Sequence, residues 1–167
     1  MGGKIAKIQT YLWFDNQAEE AVRFYTSFLK NSGIGKITYH ASSGEKFHGR
    51  LPTGSVMTVE FHLEGQEFVA LNGGPAFKLS EAVSIAVNCE TQEEVDYYWE
   101  KFISNGGEES HCGWLKDKFG LSWQIVPAEF YVLAFDPDSK KSNRVLDVMY
   151  TMKKLDLDVL RKAYEGK

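Results

Sequence analysis

Apolar residues recur at helical spacing in two stretches of the chain. In DNQAEEAVRFYTSFLKNSG (residues 15–33) they fall at Ala21, Phe24, Tyr25, Phe28 and Leu29. In TQEEVDYYWEKFISNGG (residues 91–107) they fall at Val95, Tyr98, Trp99, Phe102 and Ile103. Both sets read i, i+3, i+4, i+7, i+8, the single stripe of an amphipathic helix. The second set follows the first at a constant offset of 74 residues, which also carries Glu19-Glu20 onto Glu93-Glu94 and Asn31-Ser32-Gly33 onto Asn105-Gly106-Gly107. A glycine just past the last apolar position is a common helix stop. Thr91 with Glu94 three residues on has the spacing of a capping box. Shared spacing and shared stops identify an internal duplication.

Each helix follows a strand-like run, IQTYLWF (8–14) and AVSIAVN (82–88). After the first helix come GKITYHA (35–41), SVMTVEFHL (55–63) and EFVALN (67–72); after the second come ESHC (109–112), GWLKD (113–117) and LSWQIV (121–126). The predicted order is β-α-β-β-β, twice, an α+β architecture with a helix on one face of each sheet. The modules span 4–73 and 82–127. Residues 128–167 form a C-terminal helical extension, in which SNRVLDVMYTMKK and DLDVLRKAYEG read as two helices with Asp156 as N-cap of the last.

Period-2 alternation assigns the faces. Ile8, Leu12, Phe14, Met57, Val59, Phe61, Leu63, Val69, Leu71, Ile85, Val87, Trp123 and Ile125 are expected under the helices. Gln9, Tyr11, Trp13, Thr58, Glu60, His62, Phe68, Ala70 and Asn72 are then expected on the opposite face of the first sheet. Ser84, Ala86, Asn88, Ser122, Gln124 and Val126 take that face in the second. That face mixes aromatic, amide and hydroxyl groups with one carboxylate, which suits a mostly neutral ligand cavity and equally a solvent-washed sheet. In CGWLKDKFGLSWQIVP (112–127), Trp114 and Trp123 flank a charged turn, and alternation separates them: Trp123 toward the core, Trp114 not.

Charge and composition narrow the classes. A net charge of −4 with scattered lysines offers no basic stripe to nucleic acid. No apolar run reaches the ~20 residues that span a bilayer, and the N-terminal stretch has no small-residue cleavage site. Two cysteines, Cys89 and Cys112, are too few for a disulfide framework or zinc cluster. A reduced, cytoplasmic protein is expected. Cys89 reads as a packed thiol. His111 and Cys112, adjacent on a strand, point to opposite faces. His40 and His48 flank a polar loop and are expected to meet water.

The strings LWFDNQAEEAVRFY (12–25), GSVMTVEF (54–61), FVALNGGPAFK (68–78), AVNCETQEEVD (86–96) and CGWLKDKFGLSWQIVP resemble the PhnB-like branch of the vicinal oxygen chelate superfamily, the glyoxalase and bleomycin-resistance fold. The tail RVLDVMYTMKKLDLDVLRKAYEG (144–166) resembles it too. The resemblance implies that each sheet curls into half of a cup around a small-molecule site, and that the protein is a homodimer. The surplus of apolar side chains at Val145, Leu146, Val148, Met149 and Met152 suits docking on a partner or on the first module. Metalloenzymes of the superfamily draw four ligands from the first and last strands of each module. Those positions carry over to Gln9, Ala70, Ser84 and Gln124, a weak set for a transition metal, so no metal and no cofactor is expected. PhnB-like proteins are often labelled demethylubiquinone methyltransferases. The chain has no glycine-rich turn after its first strand and no alternating α/β run for a nucleotide-type cofactor, so that label is not carried over.

The expectation is a metal-independent binding protein for an unidentified small molecule. Tyr11, Trp13 and Trp114 supply stacking contact; Gln9, Thr58, His62, Asn72, Ser84 and Gln124 orient polar groups. The alternatives are a lyase, isomerase or dioxygenase with Glu60 as base, ~7 Å from His62 on one strand face, and a dimeric module that recruits a protein through the tail helices.

Overall fold

The computed structural model describes residues 7–41 and 51–167; the start of the first module at residue 4, and His48, lie outside the described residues. The first predicted stripe forms helix α1 (Ala18–Thr26), which stops short of Phe28 and Leu29 and well before Gly33, and the second forms α2 (Gln92–Ile103). Around α1 the chain lays down β1 (Thr10–Phe14), β2 (Gly33–Tyr39), β3 (Val56–Leu63) and β4 (Gln66–Asn72). Around α2 it lays down β5 (Ser84–Cys89), β6 (Glu108–Glu109), β7 (Trp114–Lys116) and β8 (Ser122–Pro127). The sheet orders are β1-β4-β3-β2 and β5-β8-β7-β6, with the first and last strands of each module parallel and the rest antiparallel. This is the predicted βαβββ module, present twice. The chain divides into two compact units, Met1–Leu79 and Ser80–Lys167.

In the first unit Ala21, Val22, Tyr25, Phe28 and Leu29 of the α1 region are buried together with Leu12, Phe14, Val59 and Phe61. Phe61 stacks on Phe68 with ring centroids 5.3 Å apart. In the second, Val95, Tyr98, Trp99 and Phe102 of α2 are buried with Leu115, Trp123 and Ile125, and the Phe102 and Trp123 rings lie 4.7 Å apart. Burying one such aromatic fully contributes ~2–3 kcal/mol.

The helices start differently. At α2, Thr91 Oγ1 accepts the Glu94 N–H at 3.3 Å, while the Glu94 carboxylate reaches back to the Glu90 N–H at 3.0 Å. The predicted box thus closes one residue early on its return bond. At α1 the N-cap Gln17 makes no capping bond. Instead Asn72 Oδ1, at the end of β4, accepts the Ala18 N–H at 2.8 Å.

Asp117 explains the charged turn between β7 and β8. Its carboxylate is buried, and Oδ1 accepts the Phe119 N–H (2.9 Å) and the Leu121 N–H (3.0 Å). Oδ2 accepts the indole N–H of Trp123 at 2.9 Å. The turn residue therefore also satisfies the one polar atom that Trp123 brings into the core.

Several expectations are corrected. Ile8 lies ahead of the β1 ladder and is 88% exposed rather than inward. His40, expected to meet water, is half-buried, and its Nε2 is buried without a hydrogen-bond partner among the described residues. The expected 109–112 strand shrinks to Glu108–Glu109, because Cys112 (φ 58°) and Gly113 (φ 82°) turn left-handed. A Cβ at Gly113 would lie 3.0 Å from the Ile125 carbonyl oxygen and 3.1 Å from Leu155.

The tail holds three helices rather than two: α3 (Ala128–Ala134), α4 (Ser139–Met149) and α5 (Leu157–Glu165). Asp156 caps α5 as predicted, accepting the Val159 N–H at 3.0 Å. The apolar surplus, Val148 excepted, turns inward, onto the tail itself and the end of β8. Val145, Leu155, Leu157 and Leu160 cluster with Val126, Phe130 and Leu133, and Leu146, Met149 and Met152 pack against them. Both ends of the Gln92 amide hold the start of α5, at the Leu155 carbonyl (3.1 Å) just before it and the Leu157 N–H (2.8 Å).

Ion pairs fasten the tail further. Arg161 meets Glu129 at 2.9 and 2.6 Å, Lys154 meets Asp96 at 2.5 Å, and Lys153 meets Glu109 at 3.0 Å. These cations hold the Glu129, Asp96 and Glu109 carboxyls below their ordinary values of 4.5, 3.8 and 4.5; Trp99 adds a hydrogen bond at Glu109. A depressed native value contributes stability above the ordinary value that is lost as pH falls through the native one. The groups are more than a third exposed, so each effect is small. The thermal midpoint is expected to fall as pH drops below about 4.5, with a shallower fall in a Glu129→Gln, Asp96→Asn double variant; identical acid limbs would remove these pairs from the account. Asp117→Ala is expected to cost about 3 kcal/mol, from three abandoned donors, read as a lower urea midpoint at unchanged slope.

Candidate functional site

Register fixes which side chains share the face opposite each helix, since directly paired residues point the same way. In the first sheet Tyr11 pairs with Val69 and Val69 with Glu60, making one row across three strands. Trp13 pairs with Leu71, Leu71 with Thr58, and Thr58 with Thr38, making the next row. His62 pairs with Glu67, and Gln9 immediately precedes β1. Strands lie ~4.8 Å apart, so Tyr11 and Glu60 stand about 10 Å apart across Val69.

This map reverses β4. Phe68, Ala70 and Asn72 lie with Phe61, Leu12 and Phe14 on the helix face, and Val69 and Leu71 lie on the open one. Asn72, expected as a ligand contact, is buried; it caps α1 and donates to the Val56 carbonyl at 3.0 Å. The segment FVALN is apolar on both sides, so alternation carries no parity signal there.

Tyr11, Trp13, Thr58, Glu60 and His62 share the open face, while Gln9 lies one residue ahead of the β1 ladder. Tyr11 is 57% exposed, Trp13 is half-buried, and the Trp13 indole N–H donates to the Gly74 carbonyl at 2.9 Å. Thr58 shares a 2.5 Å hydrogen bond with Thr38. Glu60 is exposed, and the His62 ring lies against Gly33, where a Cβ would come within 2.8 Å of Cε1.

In the second sheet the predicted faces hold. Trp123 and Ile125 pair with Ile85 and Val87 on the helix side, while Gln124 pairs with Ala86 and with Trp114 on the open side. Trp114 is half-buried and flanks the Gln124 amide, which donates to Ser84 Oγ at 2.8 Å. Beside them Lys116 meets Glu81 at 2.7 Å, which raises the lysine and lowers the carboxyl. Trp114, Lys116 and Ser122 line a cavity of about 150 Å³ with Glu81, Glu108 and Glu109. Val126, at the end of this face, is covered by the tail cluster.

Paired βαβββ modules, each with a helix on one sheet face, define a glyoxalase-type protein of the vicinal oxygen chelate superfamily. The family model described as 3-demethylubiquinone-9 3-methyltransferase matches residues 6–126, and the chain belongs to that PhnB-like family. A solved Bacillus cereus PhnB protein, itself described as a 3-demethylubiquinone-9 3-methyltransferase, is 35% identical over 74% of this chain and all of its own, with a TM-score of 0.63. A Pseudomonas aeruginosa protein shares the fold at 18% identity over 73% of this chain and 97% of its own, TM-score 0.59. A looser likeness is to lactoylglutathione lyase from Agrobacterium tumefaciens, 15% identical over 78% of this chain and 98% of its own, TM-score 0.41. No curated protein matches the chain. The tail, expected to belong to the resemblance, lies beyond the matched residues.

The superfamily's metal positions can now be placed by register. Gln124 pairs two residues along from Ser84, and the residue pairing two along from Gln9 is Val69, not Ala70. The four positions are therefore Gln9, Val69, Ser84 and Gln124. Valine has no donor, and Gln124 and Ser84 hydrogen-bond each other; this set does not fit a transition metal. Among the described residues no group of three His, Cys, Asp or Glu side chains gathers for one either. Nor does the fold suit a nucleotide-type cofactor of the doubly wound kind. The β–α connections, Asp15-Asn16-Gln17 and Glu90-Thr91, contain no glycine, and each sheet is mostly antiparallel. The family's descriptive name does not by itself assign an activity to this chain. Protein purified without chelator is expected to carry far less than one equivalent of Zn, Ni, Mn or Fe by plasma mass spectrometry; a stoichiometric metal would refute the donor argument.

Proposed function

We propose that this chain is a metal-independent small-molecule-binding protein that works as a cytoplasmic homodimer and takes its ligand on the open sheet faces. The observation that carries the reading is the division of each sheet. One face is filled by its helix, and the other holds oriented aromatic, amide and hydroxyl groups without a transition-metal donor set. Tyr11 and Trp13 supply stacking area in the first module and Trp114 in the second. Gln9, Thr58 and His62 in the first, and Ser84 and Gln124 in the second, offer donors and acceptors to a polar ligand edge.

A second reading rests on Glu60. It is exposed on the open face, shares that face with His62, and neither side chain has a hydrogen bond or ion pair among the described residues. A carboxylate so placed is available as a general base for a lyase or isomerase step.

Native mass spectrometry of freshly purified protein tests the first reading. A dimer mass with a reproducible organic adduct is expected, and Trp13→Ala or Gln124→Ala should shed the adduct while the dimer persists. Loss of a turnover in Glu60→Gln with adduct affinity intact would replace the binding reading by the enzymatic one.

A further inference from the structure

Gly73 and Gly74 follow β4 and look like ordinary turn glycines in the sequence, but both touch Trp13. The indole occupies the space directly above Gly73: a Cβ there would lie 2.2 Å from Cζ2, 2.3 Å from Cη2 and 2.6 Å from Cε2. Any other residue at 73 would place a side chain inside the ring. Gly74 adopts φ +82°, which L side chains rarely adopt, and in that conformation its carbonyl receives the Trp13 indole N–H at 2.9 Å. The Gly73 and Gly74 N–H groups extend the ladder beyond β4, donating to the Phe14 and Asp15 carbonyls at 3.0 Å each. The bend is therefore tied to the strand that carries Trp13. Phe77 completes the arrangement, meeting the indole edge-on with centroids 5.0 Å apart and planes at 79°. Phe77 is itself 65% exposed, so core packing does not account for it.

We infer that Gly73, Gly74 and Phe77 are positioning residues of the binding face, a cradle that fixes the Trp13 ring before a ligand arrives, and that the ligand seated there is a flat, conjugated molecule. The inference rests on the proposed binding function. An aromatic ring held by Gly73, by Phe77 and by the Gly74 carbonyl loses little freedom on stacking, which is how preorganisation raises affinity.

The test uses the whole protein and two readouts. The four indole N–H signals of the 15N-labelled protein are resolved, with Trp13 assigned from Trp13→Phe. Binding of 2-naphthol, a neutral flat probe, is followed by saturation-transfer NMR. Gly73→Ala and Phe77→Ala are expected to move the Trp13 signal and leave those of Trp99, Trp114 and Trp123 in place. Each is expected to weaken 2-naphthol about fivefold, near the effect of Trp13→Ala. Phe77→Tyr, which keeps a ring edge, is expected to restore both. Because Phe77 is exposed, its variants keep the test open should Gly73→Ala fail to fold. An unmoved Trp13 signal in Phe77→Ala, or 2-naphthol affinity lost in Trp13→Ala but kept in Phe77→Ala, overturns the cradle. Unchanged affinity in Trp13→Ala overturns the binding reading beneath it.

Discussion

Parallel pairing between the first and last strand of each module decides what every other residue on the sheet can do. With Leu12 opposite Ala70 and Phe14 opposite Asn72, the helix face is set across both strands at once. A slip of one residue would send Asn72 to the open face, strip α1 of its cap and put Val69 beneath the helix. The same register in the second module puts Gln124 beside Ala86 and within reach of Ser84. The chemistry of the open face is thus a consequence of packing on the other side, where Phe61, Phe68, Phe102 and Trp123 have no freedom to be exposed.

Much of this was legible in the sequence because the relevant signals are strong. Two stripes of five apolar residues at matched spacing can hardly be anything but packed helices, and β3 alternates cleanly from Met57 to Leu63. β8 alternates well enough to separate Trp123 from Gln124. Alternation misassigns β4 because the strand is apolar on both faces, and only its neighbours choose which side meets the helix. Asn72 was misplaced with it, an amide that reads as a ligand contact until its cap partner, 54 residues earlier, is seen. Helix α3 carries no start signal in the sequence because Pro127 both ends β8 and occupies the helix N-cap position without a side-chain bond, leaving no polar break to announce it.

The site was legible in its strands and not in its bends. Tyr11, Trp13 and Gln124 follow from parity, whereas the role of Gly73 depends on where an indole lies in three dimensions. Asp117 belongs to the same class: its neighbours in sequence are lysines, but its partners are the Leu121 N–H and the Trp123 indole. The two tryptophans of that hairpin divide accordingly, one held in the core and one presented outward.

The two helices, alike in their stripes, differ in how their first turns are completed, and the difference is kinetic. The start of α2 is closed by Thr91, Glu94 and Glu90, all within one turn, so its nucleus forms from local contacts alone. The start of α1 takes its side-chain cap from Asn72, a bond that can form only once the chain has passed through β2 and β3 and docked β4. Closing that long loop costs entropy before the bond returns anything. The duplicated modules therefore complete their helix starts from different sources: the second from its own first turn, the first only with its sheet in place.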